Sequence, residues 1–80
     1  MAQVIYRVMM LSTKTGRWEV FTNYHQYADA ELAARGLVSG GDARKAHIWE
    51  ITAGDKRIVA HVRSKPKPGW PHGYAAVDRS

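Results

Sequence analysis

Four histidines, His25, His47, His61 and His72, are the side chains of this chain best suited to proton transfer or metal ligation near neutral pH. They lie too far apart to match any compact metal-ligand spacing, and no His-Glu-x-x-His pair occurs. They read as four unrelated surface or margin imidazoles, with His61 adding pH-dependent charge to a basic face. The absence of cysteine excludes disulfides and thiolate metal sites. Serines and threonines occur without a Gly-x-Ser-x-Gly elbow, and the acids are scattered. Ser39-Gly40-Gly41-Asp42 follows a predicted helix instead of opening one, so it lacks the strand-loop-helix setting of a phosphate cradle and reads as a loop. No catalytic residue, metal or cofactor is assigned, and the residues point away from an enzyme.

Positive charge is the stronger signal. The net charge is +5, and residues 44–67 hold Arg44, Lys45, Lys56, Arg57, Arg63, Lys65 and Lys67 against only Glu50 and Asp55. Such asymmetry suits an anionic partner, either nucleic acid or an acidic protein face, although net charge also serves solubility. Arg57, His61 and Arg63 are spaced to project from one face of a single strand, and Arg44, Lys45, Lys65 and Lys67 extend that patch at its end.

The strands that would carry this patch form the second of two hairpins. If Gly54-Asp55 is a two-residue turn, Ala53 faces Lys56, Ile51 faces Ile58, Trp49 faces Ala60, Ile48 faces His61 and His47 faces Val62. This register predicts a core face of Trp49, Ile51, Ile58, Ala60 and Val62 with His47 at its margin. The opposite face holds Ile48, Glu50, Thr52, Arg57, Val59, His61 and Arg63. Trp18 and Trp49 are assigned to the core, so the basic face has no aromatic platform and single-strand RNA recognition of the usual sheet type loses support.

The first half of the chain supplies the other elements. Residues 4–11 place Val4, Tyr6, Val8 and Met10 on one face and Ile5, Arg7, Met9 and Leu11 on the other, the pattern of an inner strand. A turn over residues 12–16 leads to a returning strand over 18–22, with either Met9 or Val8 opposite Val20. Tyr27, Ala30, Ala34, Leu37 and Val38 form one helical stripe, with Asp29 as N-cap, Glu31 in the first turn, and a stop at Gly36 or at Gly40-Gly41. The expected fold is α+β: a two-layer domain over residues 1–63 with a four-stranded antiparallel sheet and one helix in the order ββαββ.

Residues 64–80 read as an extended tail. The segment from Lys65 to Tyr74 contains all three prolines together with Trp70 and Tyr74. Two courses are open: the tail crosses the uncovered sheet face with Trp70 as anchor, or Trp70 and Tyr74 wait for a partner.

One domain is the expectation for eighty residues, with 45% hydrophobic and 24% charged content fitting an ordered globule. A chain this small buries only about 60% of its unfolded surface, so stability should be modest. No secretory leader or membrane-length apolar run is recognised, which predicts a cytoplasmic protein with no membrane partner.

A hairpin, a helix begun by Tyr27-Ala28-Asp29-Ala30, and a second hairpin carrying Ala46-His47-Ile48-Trp49-Glu50-Ile51 and Gly54-Asp55-Lys56-Arg57-Ile58-Val59-Ala60 together resemble small proteins of phages and mobile elements. Among these the pattern over residues 4–63 is similar to anti-CRISPR inhibitors with one helix on an antiparallel sheet. The resemblance implies a non-enzymatic interaction protein of a bacterial host's cytoplasm. It would block a host or defence complex, with or without its bound nucleic acid, by steric binding through Arg57, His61 and Arg63. DNA-mimicking inhibitors are acidic, and this basic chain departs from that version. The alternatives are a sequence-nonspecific DNA- or RNA-binding module and, third, a small metal-dependent hydrolase or nuclease. An open sheet face or edge strand also allows a homodimer.

Overall fold

The structure is a computed structural model and describes residues 3–71 and 73–79, so His72 lies outside the described residues. Its elements are β1 (Ile5–Ser12), β2 (Trp18–Tyr24), α1 (Tyr27–Ser39), β3 (Ala43–Thr52), β4 (Asp55–Lys65) and β5 (Tyr74–Arg79). The strands form one sheet in the order β2-β1-β3-β4-β5, and every neighbouring pair is antiparallel.

The sheet therefore has five strands, which corrects the four-stranded ββαββ expectation and its extended tail. Proline and glycine after β4 make a loop that returns the chain. Lys67-Pro68-Gly69-Trp70 closes with the Trp70 N–H donating to the Lys67 carbonyl at 3.1 Å, and Gly69 takes a φ of 83°. Proline at the second position and a positive-φ glycine at the third are the demands of a type II turn. Gly73, also at positive φ, lies so close to the Lys65 carbonyl that a Cβ would overlap it. The chain then pairs with β4 from Lys65 opposite Tyr74 to Ala60 opposite Arg79.

Alternation on β1 gives an inner strand, as its two apolar faces predict. Of the two registers for the first hairpin, Met9 opposite Val20 is the one adopted, with a bulge that leaves Phe21 as the extra residue. The helix carries the predicted stripe: Ala30, Ala34, Leu37 and Val38 are buried and Tyr27 packs beside them. Its N-cap is Gln26 without a side-chain cap bond, so Asp29 lies in the first turn and does not cap it. It runs through Gly36 and stops at Gly40-Gly41. There the Gly41 N–H donates to the Val38 carbonyl and the Asp42 N–H to the Leu37 carbonyl, a Schellman closure that uses Gly41 at φ 82°. The Thr13 hydroxyl donates to the Gly41 and Asp42 carbonyls at 2.9 and 3.1 Å, fastening the first turn to the helix end.

The core lies between α1 and one sheet face. Val8, Ala46, Ile48, Ala60 and Val62 are buried under the helix, and Ala75 and Val77 of β5 pack against them. Small side chains on both sides let helix and sheet approach closely. The Arg79 guanidinium makes a forked ion pair with Glu31, at 2.8 and 3.1 Å, and ties β5 to the helix. The helix, about 20 Å long for its residue count, is shorter than β4 at about 36 Å, so it cannot cover the whole sheet. The long dimension of the molecule is 47 Å.

The second hairpin corrects the predicted register. Its turn is Ala53-Gly54, with Gly54 at φ 84°, and Thr52 faces Asp55. Glu50 faces Arg57 and Trp49 faces Ile58; Val59 is then an extra residue in a bulge, after which Ile48 faces Ala60 and His47 faces His61. The bulge changes the phase of β4 along its length. Ile48 is the buried core residue, whereas Trp49, Ile51 and Ile58 lie on the face away from the helix.

Candidate binding face of the sheet

The sheet surface opposite the helix is built by alternation. Because Ala46 and Ile48 point to the core, Lys45, His47, Trp49 and Ile51 point away; because Ala60 and Val62 do so on β4, His61 and Arg63 point away. The edge strand β2 contributes Trp18, 42% exposed and therefore not the core residue expected from sequence. Strand β1 lies between β2 and β3, and the Trp18 indole reaches across it to stack on His47 at 4.2 Å and 25°. The His47 ring meets His61 edge-on at 4.7 Å and 80°. An aromatic row thus runs over four strands, where sequence reasoning placed His47 and His61 on opposite faces.

Cations flank this row. Lys45 faces Arg63 directly across the β3–β4 ladder, as His47 faces His61. Arg63 pairs with Asp78 of β5 at 3.0 Å. Further along the face the Lys56 ammonium lies 5.7 Å from the Trp49 ring, and Arg7, opposite Trp49 on β1, donates to Asn23 at 3.0 Å. Burial holds the His47 imidazole below its ordinary pKa, and the charges of His61 and Lys45 act in the same direction.

Of the basic residues singled out from sequence, Lys45, His61 and Arg63 come together here. Arg57 does not. The Val59 bulge turns it to the other side of the hairpin, where it pairs with Glu50 at 3.3 Å. Arg44 is exposed at a third bulge, between Ala43 and Lys45. Lys65 stands opposite Tyr74 where β5 begins. Lys67 places its ammonium 4.3 Å from the Trp70 ring, and Trp70, half exposed in the β4–β5 loop, neither crosses the open face nor completes the core. Trp70 and Tyr74 instead line a separate groove of about 500 Å³ with Leu32, Arg35 and Lys67.

Sequence reasoning missed Trp18, His47 and Trp49 as residues of the basic face. The one local hint was the adjacent pair Val59-Ala60, two small apolar residues that can both turn inward at a bulge.

Among the described residues no group of three His, Cys, Asp or Glu side chains could hold a metal ion, and no helix is long and apolar enough to cross a membrane. Comparison of the chain with protein-family models, with curated proteins and with solved structures gave no match.

Proposed function

We propose that this protein binds single-stranded nucleic acid across the open face of its sheet. Bases would stack on Trp18 and Trp49, and backbone phosphates would meet Lys45, Lys56 and Arg63. The supporting observation is that the exposed Trp18 ring, stacked on His47, and the half-buried Trp49 ring share one face with cations. Rings that accept any base and cations that track the backbone are the two parts of sequence-tolerant single-strand binding. Fluorescence anisotropy with labelled oligothymidylate and oligouridylate tests this, and affinity should fall steeply with salt as counterions are released. A flat salt response, or equal affinity for the Trp18→Ala variant, would remove the reading.

A second reading keeps the phage-type inhibitor of a host or defence nucleoprotein complex. It draws on the groove of Leu32, Trp70 and Tyr74, whose exposed apolar side chains suit a protein surface. Capture of one defined complex from nuclease-treated lysate, lost on Trp70→Ala, would favour it. Capture that nuclease abolishes would favour direct nucleic-acid binding.

A further inference from the structure

Lys45 opposite Arg63 and His47 opposite His61 are two directly facing pairs, side by side on the same two strands. Like charges directly opposite on a sheet repel, so all four side chains fully charged would disfavour the free protein. They surround a shallow depression of about 250 Å³ bordered by Val62 and by Asp78. Asp78 stands opposite His61 on β5 and is held by Arg63 at 3.0 Å. One carboxylate thus faces two permanent cations and two protonatable rings, and the local balance is positive.

The imidazoles are not free to move apart. His47 lies against the Trp18 indole on one side and against the edge of His61 on another. Met9 of β1 stands opposite His47 and adds no charge, and Trp18 of β2 adds none either. Charged or titratable neighbours come from β3 as Lys45, from β4 as His61 and Arg63, and from β5 as Asp78. We infer that this depression is a phosphate-binding subsite that seats one phosphodiester group of a bound strand between Lys45 and Arg63 and takes up a proton on His47 as it does so.

The inference rests on the nucleic-acid reading for the carrier of the phosphate, while the anion chemistry stands on the side chains alone. A phosphate among these groups adds an acceptor for both cations and offsets the mutual repulsion of Lys45 and Arg63. Burial, and then the charges of His61 and Lys45, lower the His47 pKa, and an anion opposes the effect of those charges. Binding then raises its proton affinity. By linkage, anion affinity rises as pH falls through the imidazole range.

The test has two arms. In the first, inorganic phosphate is titrated into the free protein while the histidine ring Cε1–H signals are followed by NMR at about pH 6. The His47 and His61 signals should move together and saturate, and absence of movement in both overturns the subsite. In the second arm, a labelled oligothymidylate should bind about tenfold more tightly at about pH 5.5 than at about pH 8. That ratio should fall toward one in a His47→Gln/His61→Gln double variant. Because His47→Gln also removes the Trp18 stack, Asp78→Asn is the companion variant: it frees Arg63 and should tighten binding severalfold, and unchanged or weaker binding counts against the subsite. If phosphate moves both rings but no oligonucleotide binds at either pH, the nucleic-acid reading fails and a free-anion site stands. If the oligonucleotide binds without pH dependence and phosphate leaves both rings unmoved, the subsite fails and the broader reading stands.

Discussion

The two faces of the sheet come from the same strands and differ in what covers them. Under the helix stand Val8, Ala46, Ile48, Ala60 and Val62; on the other side, one residue along, stand Trp18, His47, Trp49, Lys45 and Arg63. Close approach of an alanine-rich helix limits the fully buried part of the covered face to aliphatic side chains, and its rings, Tyr6 and Tyr24, are only partly buried, with Tyr6 edge-on to Tyr27 at 5.8 Å. The covered face carries stability with little apolar volume. The open face carries Trp18, which is exposed, beside the half-buried rings of His47 and Trp49.

Substitutions at adjacent positions should break this division most clearly. Ile48→Ala removes a fully buried side chain and should cost about 3 kcal/mol in urea denaturation. Its neighbour Trp49→Ala, half-buried on the open face, should cost less, about 1–2 kcal/mol. Comparable losses for the two would mean that both faces are core.

Gly73→Ala should come next. A left-handed φ for alanine costs about 1–2 kcal/mol, and its Cβ must also displace the Lys65 carbonyl. Gly54→Ala has open space and only the backbone cost. Hydrogen exchange should show the Tyr74–Arg79 amides losing protection in the first variant and keeping it in the second.

On the open face, Trp18→Ala should weaken oligonucleotide binding about tenfold, the value of roughly one base stack, with little change in melting. Lys45→Glu should go further in separating binding from stability. It places opposite charges across from each other at Arg63, which should stabilise the fold by about 0.5 kcal/mol while reducing affinity.

Acid titration gives the smallest effect, and it separates the faces by pH. His47 has a folded pKa below its unfolded value, so its contribution is fully present above about pH 6.5 and is lost as pH falls from there toward the folded pKa. On the helix side, hydrogen bonds from Tyr27 and then Arg79 hold the Glu31 carboxyl below its ordinary range. Its contribution is present above the usual carboxylate pKa and is lost as pH falls from there through the lowered one. Thermal melts across pH should lose the upper limb in His47→Gln and the lower limb in Glu31→Gln.

What was legible in the sequence was local. The two faces of β1, the helical stripe from Tyr27 to Val38 and the glycine stop each repeat within a few residues, and each is found in the fold. The Val59 bulge is different because period-two alternation carries no mark of an inserted residue. With Val59 and Ala60 both apolar, an unbroken strand fits the pattern equally well, and it groups Arg57 with His61 and Arg63. Strand β5 was hidden for another reason: it is short, follows a loop rich in proline and glycine, and gains its identity only from pairing with β4. Lys45, His61 and Arg63 could be found from charge spacing. The stack of Trp18 on His47 could not, since it requires β1 to lie between β2 and β3, an order that no local pattern encodes.

The bulge at Phe21 bears on how the protein behaves at high concentration. Strand β2 borders the sheet, and a border strand with exposed Trp18, Val20 and Phe21 would ordinarily be a template for another chain. The extra residue interrupts the regular spacing of outward N–H and C=O groups, leaving segments 18–20 and 22–24 out of step with each other. An incoming strand can match one segment and then loses the other. The one extra residue at Phe21 thereby opposes edge-to-edge pairing along a strand that carries exposed aromatic rings.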